Sequence, residues 1–134
     1  MRAQDVEDII KLGLEGTDWE RVAFLHGQDD SNAPPGRFVL ITRLAGAGLS
    51  VEGLFDRPGW QITAVGEQYD YADSESMADQ IDAIMLNARG QQVNDLYLLQ
   101  IDRQGGSPAP LQVDDADRTR FVCSYITEVE SLVA

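Results

Sequence analysis

Reactive and metal-binding side chains are few: one histidine, one cysteine and a cluster of aspartates. His26 lies beside Asp29 and Asp30, and a catalytic His/Asp pair there would need Ser31 or Ser50 as its nucleophile. No Gly-x-Ser-x-Gly elbow accompanies it, so His26 reads as structural or solvent-facing. A structural zinc site takes about four Cys or His ligands, which one of each cannot supply. Cys123 alternates with Phe121 and Tyr125, the setting of a small core residue rather than a thiolate nucleophile. Asp114, Asp115 and Asp117 offer hard oxygen ligands, but the regular ladder of a calcium loop is missing. A solvated turn, a weak ion site and a partner contact all fit those three residues. Gly46-Ala47-Gly48 lacks the third glycine and the following helix of a dinucleotide fingerprint. Arg118 and Arg120, next to the aspartates, read as local or intersubunit ion pairs. The residues thus assign no catalytic group, metal ligand or cofactor.

The elements around them follow from periodicity. Val6, Ile9, Ile10, Gly13 and Leu14 recur at helical spacing, which predicts a helix over 5–15 that stops at Gly16. A short strand is expected over 19–25, then a loop over 26–36 rich in Asp, Pro and Gly. Residues 38–44 read as a buried strand, 45–48 as a turn, 54–55 as a short extended piece, 57–59 as another turn and 60–65 as a strand. A second helix, capped by Asp73 or Ser74, should reach Arg89 with Gly90 beyond it. Its stripe of Met77, Ile81, Ile84, Met85 and Ala88 should face the core, with Ile81, Ile84 and Met85 packed on Phe38, Leu40, Ile62 and Tyr125. Residues 93–101 follow as a strand and 104–110 as a Gly/Pro loop. The final run alternates Phe121, Cys123, Tyr125, Thr127 and Val129 with Val122, Ser124, Ile126 and Glu128, which predicts a long strand with two distinct faces. The expected fold is a single α+β domain over 1–134, a mostly antiparallel β-sheet with two α-helices packed on it.

Composition narrows the function classes. A chain of 134 residues with 43% apolar side chains can build its own core without disulfide or metal. No apolar run approaches the ~20 residues of a membrane span, and the acidic N-terminal segment does not read as a signal peptide. Ten Lys and Arg stand against 23 Asp and Glu, a net charge of −13, and Lys11 is the only lysine. Such a surface repels nucleic acid rather than gripping its phosphates. Two readings fit: ordinary solubility, or the lining of a passage through which DNA slides without sticking.

Several stretches together resemble the tail terminator, or tail completion, proteins of long-tailed bacteriophages, often labelled minor capsid proteins. They are the acidic first helix, residues 37–43, the segment 55–62 with its Pro-Gly pair, the helix over 74–89 and the ending over 117–125. The resemblance covers nearly the whole chain and lies in layout, size and charge. It implies a non-enzymatic virion protein, assembled in the host bacterial cytoplasm, that forms a homo-hexameric ring at the top of the tail tube. That ring would contact the tail tube protein on one side and the head–tail connector or stopper protein on the other. DNA would pass through its lumen without specific binding, and no membrane is involved. Candidate contact residues are His26, Asp29, Asp30, Asn32, Pro34 and Pro35 in the first loop, Gly105, Ser107 and Pro108 in the second, and Arg118 and Arg120. Candidate lumen-facing acids are Glu75, Asp79 and Asp82, which helical spacing would place on one side of the second helix. Other readings are a different neck component such as the head-closure protein, an acidic DNA-mimic regulator, and a small hydrolase using His26.

Overall fold

The computed structural model describes residues 1–27, 36–49, 55–111 and 117–132. The order is α1 (Ala3–Leu14), β1 (Ala23–His26), β2 (Phe38–Leu49), β3 (Asp56–Val65), α2 (Tyr71–Asn87), β4 (Gln92–Val93), β5 (Leu96–Pro110) and β6 (Arg120–Ser131). The strands form one six-stranded sheet in the order β1-β2-β3-β6-β5-β4. Among the described strands, only the β1–β2 pair is parallel. This is the expected α+β architecture, with both helices on one face of the sheet.

Local chemistry sets the helix ends. The Asp5 carboxylate accepts from the Arg2 amide at 2.7 Å and closes the first turn of α1. Gly16, at φ 80, ends that helix in the left-handed region that favours glycine. The cap of α2 is Asp70, which accepts from the Asp73 amide at 2.9 Å, so the helix starts a turn earlier than Asp73 or Ser74 would place it. Gly90, at φ 82, lies just past its end, as expected.

Three segments read as turns or loops are strand. β2 runs through Ala45–Gly48 to Leu49, with its register shifting between Leu44 and Gly48. Arg57-Pro58-Gly59 lies inside β3, and the ladders on both sides skip Pro58. Proline is tolerated in an interior strand at such an irregularity, because no ladder hydrogen bond is asked of it. Its carbonyl instead accepts from the buried Thr127 hydroxyl at 3.0 Å. A Cβ on Gly59 would come within 2.9 Å of the Ala45 carbonyl oxygen, so glycine here serves close backbone approach rather than a turn. Gly105, Ser107 and Pro108 belong to β5, whose register with β6 shifts between Gln104 and Ala109. The first strand is shorter than expected, because Thr17 to Arg21 turn instead of extending. The stretch from 93 begins with a tight hairpin at Asn94, φ 53, which separates β4 from β5.

The core lies between the helices and the sheet. Val6, Ile9, Ile10 and Leu14 of α1 and Met77, Ile81 and Met85 of α2 pack with Val39, Ile41, Trp60, Ile62, Leu98, Phe121, Cys123, Tyr125 and Val129. The alternation of β6 holds: Phe121, Cys123, Tyr125, Thr127 and Val129 are buried, and the residues between them are half-buried. Phe38 and Leu40 are also buried, but with Val65 and Leu25 on the reverse face of the sheet, away from α2. The residues of β2 that meet the helices are Val39 and Ile41. Ile84 is only half-buried. It fills the crossing of the two helices at Gly13, where a Cβ would stand 2.5–2.7 Å from three Ile84 carbons.

Candidate functional site

Two carboxylates of α2 point inward. Asp82 is 6% exposed and accepts from the Tyr125 hydroxyl at 2.7 Å. Arg103, projecting from the exposed part of β5, donates to both of its oxygens. Burial alone would raise the Asp82 carboxyl, but the bonds from Arg103 and Tyr125 outweigh it and hold it below the usual carboxylate range. Burial likewise pushes the phenol of Tyr125 and the thiol of Cys123 up, so neither ionises readily. Cys123, buried beside a carboxylate, lacks the electropositive setting of a nucleophile. The cluster ties β5, β6 and α2 together. It also corrects the expectation for the helix acids: Glu75 and Asp79 are exposed, but Asp82 turns into the core and does not share their face. The i, i+3, i+4 spacing could not reveal this, because the partners that draw Asp82 inward come from β5 and β6.

The other inward carboxylate is Asp73. Its oxygens accept the Arg37 guanidinium in a two-point pair at 2.9 and 2.7 Å, the Trp19 indole at 3.1 Å and the Glu67 amide at 2.9 Å. Burial opposes the charge, yet the Arg37 bonds and the other donors hold the carboxyl below its ordinary value. The hub fastens the start of β2, the turn after α1 and the entry to α2 at one point. Sequence reasoning assigned Asp73 to capping, and no local pattern marks it as a hub.

The expected contact residues divide. Asp29, Asp30, Asn32, Pro34 and Pro35, with Ser31, Ser50, Asp114 and Asp115, lie outside the described residues. His26, at the end of β1, meets Glu7 of α1 at 3.0 Å, so it joins a helix to the sheet edge. Arg118 is 6% exposed, donates to the Gly36 carbonyl at 2.9 Å and lies over the Phe38 ring at 5.0 Å. It is an internal brace rather than a surface contact, and Arg120 is half-buried. Gly105 and Ser107 are exposed, and Pro108 is half-buried and lines a small cavity that Cys123 also lines. Asp117 accepts the Tyr69 hydroxyl at 3.0 Å.

Two surface features remain. A groove of about 650 Å³ runs between α1, α2 and β4, floored by Ile9, Gly13, Ile84 and Val93, with Leu12 65% exposed at its lip. The reverse face of β5 and β6 is open and polar, carrying Gln100, Asp102, Gln104, Ser124 and Glu128. Among the described residues no group of three or more His, Cys, Asp or Glu could hold a metal, and no helix is long and apolar enough to cross a membrane.

No protein-family model and no curated protein matches the sequence. Among solved structures, a second chain covering 95% of this one and 96% of its own length superposes only loosely, at 20% identity and TM-score 0.48. A chain of the virion of a native gene transfer agent (GTA) particle superposes with a TM-score of 0.66, over 91% of this chain and 92% of that one, at 12% identity; the likeness is one of fold.

Proposed function

We propose that this protein is a structural component of a phage-like particle, and within it the ring that ends the tail tube and joins it to the head. The observation that carries the reading is the end-to-end agreement of fold with a chain of a gene transfer agent virion. Length, charge and element order support it. With a net charge of −13, the chain suits a passage that must not hold DNA, since each phosphate contact adds to affinity. The reactive side chains support it as well: His26, Cys123, Asp73 and Asp82 are each tied into contacts between elements. Its partners in this role are copies of itself, the tail tube protein and the head connector. Among the described residues, the exposed stretch of β5 at Gly105 and Ser107 is available for contacts beyond the chain.

The test is to make particles with and without the gene product and measure tails by electron microscopy. The expected result is a protein present in purified particles at a ring's copy number, whose loss leaves tail tubes of uncontrolled length. Tails of normal length on heads that leak DNA would reassign it to the stopper position. Absence from purified particles would refute the virion reading.

A further inference from the structure

The outer strands of the sheet are much shorter than the strands they cover. β1 pairs with Phe38–Ile41 of the 12-residue β2, and the Gly27 backbone extends that cover only as far as Thr42. β4 pairs with Leu96 and Tyr97 of the 15-residue β5, and Gln91 and Gly90 extend that cover to Leu98. Among the described residues, Arg43–Leu49 on one side and Leu99–Pro110 on the other therefore have no described strand on their outer flank, and Ala45–Ala47, Leu99 and Gly105–Pro108 fall at register shifts against the inner one. Backbone donors and acceptors along such an edge are a template for pairing with another chain. Prolines 108 and 110 and the kink at Gly105, φ 89, spoil the distal part of β5, which leaves Leu99–Gln104 as its pairing stretch.

The two free edges match in three ways. They lie at the same height: Arg43, Trp60, Tyr125 and Arg103 form one row across the four inner strands, and Leu44, Gly59, Ile126 and Asp102 form the next. They lie on opposite sides of the sheet, which is the requirement for a head-to-tail contact that closes into a ring. Their directions are also compatible. β2, β3, β6 and β5 alternate, so β2 and β5 run opposite ways. Rotation about an axis along the strands preserves direction, and the β5 of one copy then meets the β2 of the next antiparallel, the more stable pairing.

We infer that copies of this chain join edge to edge, Leu99–Gln104 of one pairing with Arg43–Leu49 of the next, with the helices outside and the open sheet face lining the passage. This rests on the ring reading above. Four strands about 4.8 Å apart span about 19 Å per copy, so six copies give a rim of about 115 Å and a diameter of about 37 Å. Side chains about 5 Å deep leave a lumen of roughly 27 Å, wide enough for a duplex. The acids facing it are Asp102, Glu128 and Glu130, which share the open face by register. Exposed Glu75 and Asp79 on α2 then lie on the outer surface rather than in the lumen.

Cysteine pairs test the contact in the full chain: Ala45→Cys combined in turn with Gln100→Cys, Asp102→Cys and Gln104→Cys. Oxidation of assembled protein should give, for at least one pair, a covalent ladder ending at the ring's copy number, with no ladder from the single variants. Amide exchange at 43–49 and 99–104 should slow on assembly. Rings seen by mass photometry that yield no ladder and leave both segments unprotected would overturn the edge pairing while sparing the ring. A chain that remains monomeric even with tail tubes present would sink the ring reading and this one with it. In particles, Asp102→Lys with Glu128→Lys should slow DNA ejection at low salt and recover at high salt, whereas Glu75→Lys with Asp79→Lys should not. The reverse pattern would place α2 at the lumen and refute the assignment of faces.

Discussion

Tyr125→Phe removes one hydroxyl from a ring that is 1% exposed and leaves its shape intact. The lost bond is the 2.7 Å donation to Asp82. A hydrogen bond to a charged group contributes about 1.5–3 kcal/mol. Arg103 still donates to both Asp82 oxygens in the variant, so the carboxylate is not orphaned and the lower part of that range, about 1.5–2 kcal/mol, is expected. The effect depends on pH with a definite sign. The folded Asp82 carboxyl lies below its ordinary value, so its contribution is fully present above about pH 4 and is lost as pH falls through the folded value. Tyr125 is one of the donors that depress it. The gap between wild type and variant should therefore be widest near neutrality. It should shrink towards the level of a neutral hydrogen bond, about 0.5–1.5 kcal/mol, once the carboxyl is protonated. Urea unfolding at a series of pH values measures this, provided the slope m is common to both proteins. The excess of acidic groups titrates in both and cancels in the difference. A gap below about 0.5 kcal/mol at neutral pH, or one that stays constant as pH falls, would refute Asp82 as a charged acceptor.

Gly13→Val should destabilise by about 1–3 kcal/mol through overpacking against Ile84, seen as a lower melting temperature, and Ile84→Ala in the same chain should restore part of the loss. If the two substitutions simply add, the helices do not cross at that pair. Asp73→Ala should cost about 3 kcal/mol, because it leaves the Trp19 indole and the Glu67 amide without their acceptor and removes the two-point pair of Arg37, which keeps only the Asp18 carbonyl and the more distant Glu67 carboxylate. Hydrogen exchange should quicken at Glu67, and an unchanged rate there would count against the hub.

Periodicity revealed what depends on neighbours within a few residues. The faces of β6 were legible because its two sets differ in polarity, and the stripe of α2 because Met77, Ile81 and Met85 recur at helical spacing. The face of β2 was not legible. Residues 38–41 are apolar at every position and buried on both sides, so nothing in the run distinguishes Val39 and Ile41 from Phe38 and Leu40. Gly46, Gly59 and Gly105 looked like turn residues because glycine serves bulges and close strand approach as well as turns, and only the neighbouring strand tells which. Asp82 looked like an outward-facing helix acid and Asp73 like a helix cap for a similar reason. Their partners Arg103, Tyr125 and Arg37 are more than 20 residues away in the chain.

Among the described strands, the one at the middle of the sheet comes last in chain order. β6 separates β3 from β5, and Asp56 finds its place opposite Val129 only after α2 and β5 have been synthesised. At about 5–20 residues per second, β3 waits several seconds on the ribosome with that flank bare. Early hairpin growth can join β2 to β3 and β4 to β5, but the two halves have no shared ladder until β6 slots between them. Closing so many distant pairings at once makes for slow folding. A nascent chain cut short before residue 120 exposes two strand edges side by side, each suited to capture by another unfinished copy. Completion of the sheet therefore waits on β6, which alone joins the β2–β3 half to the β4–β5 half.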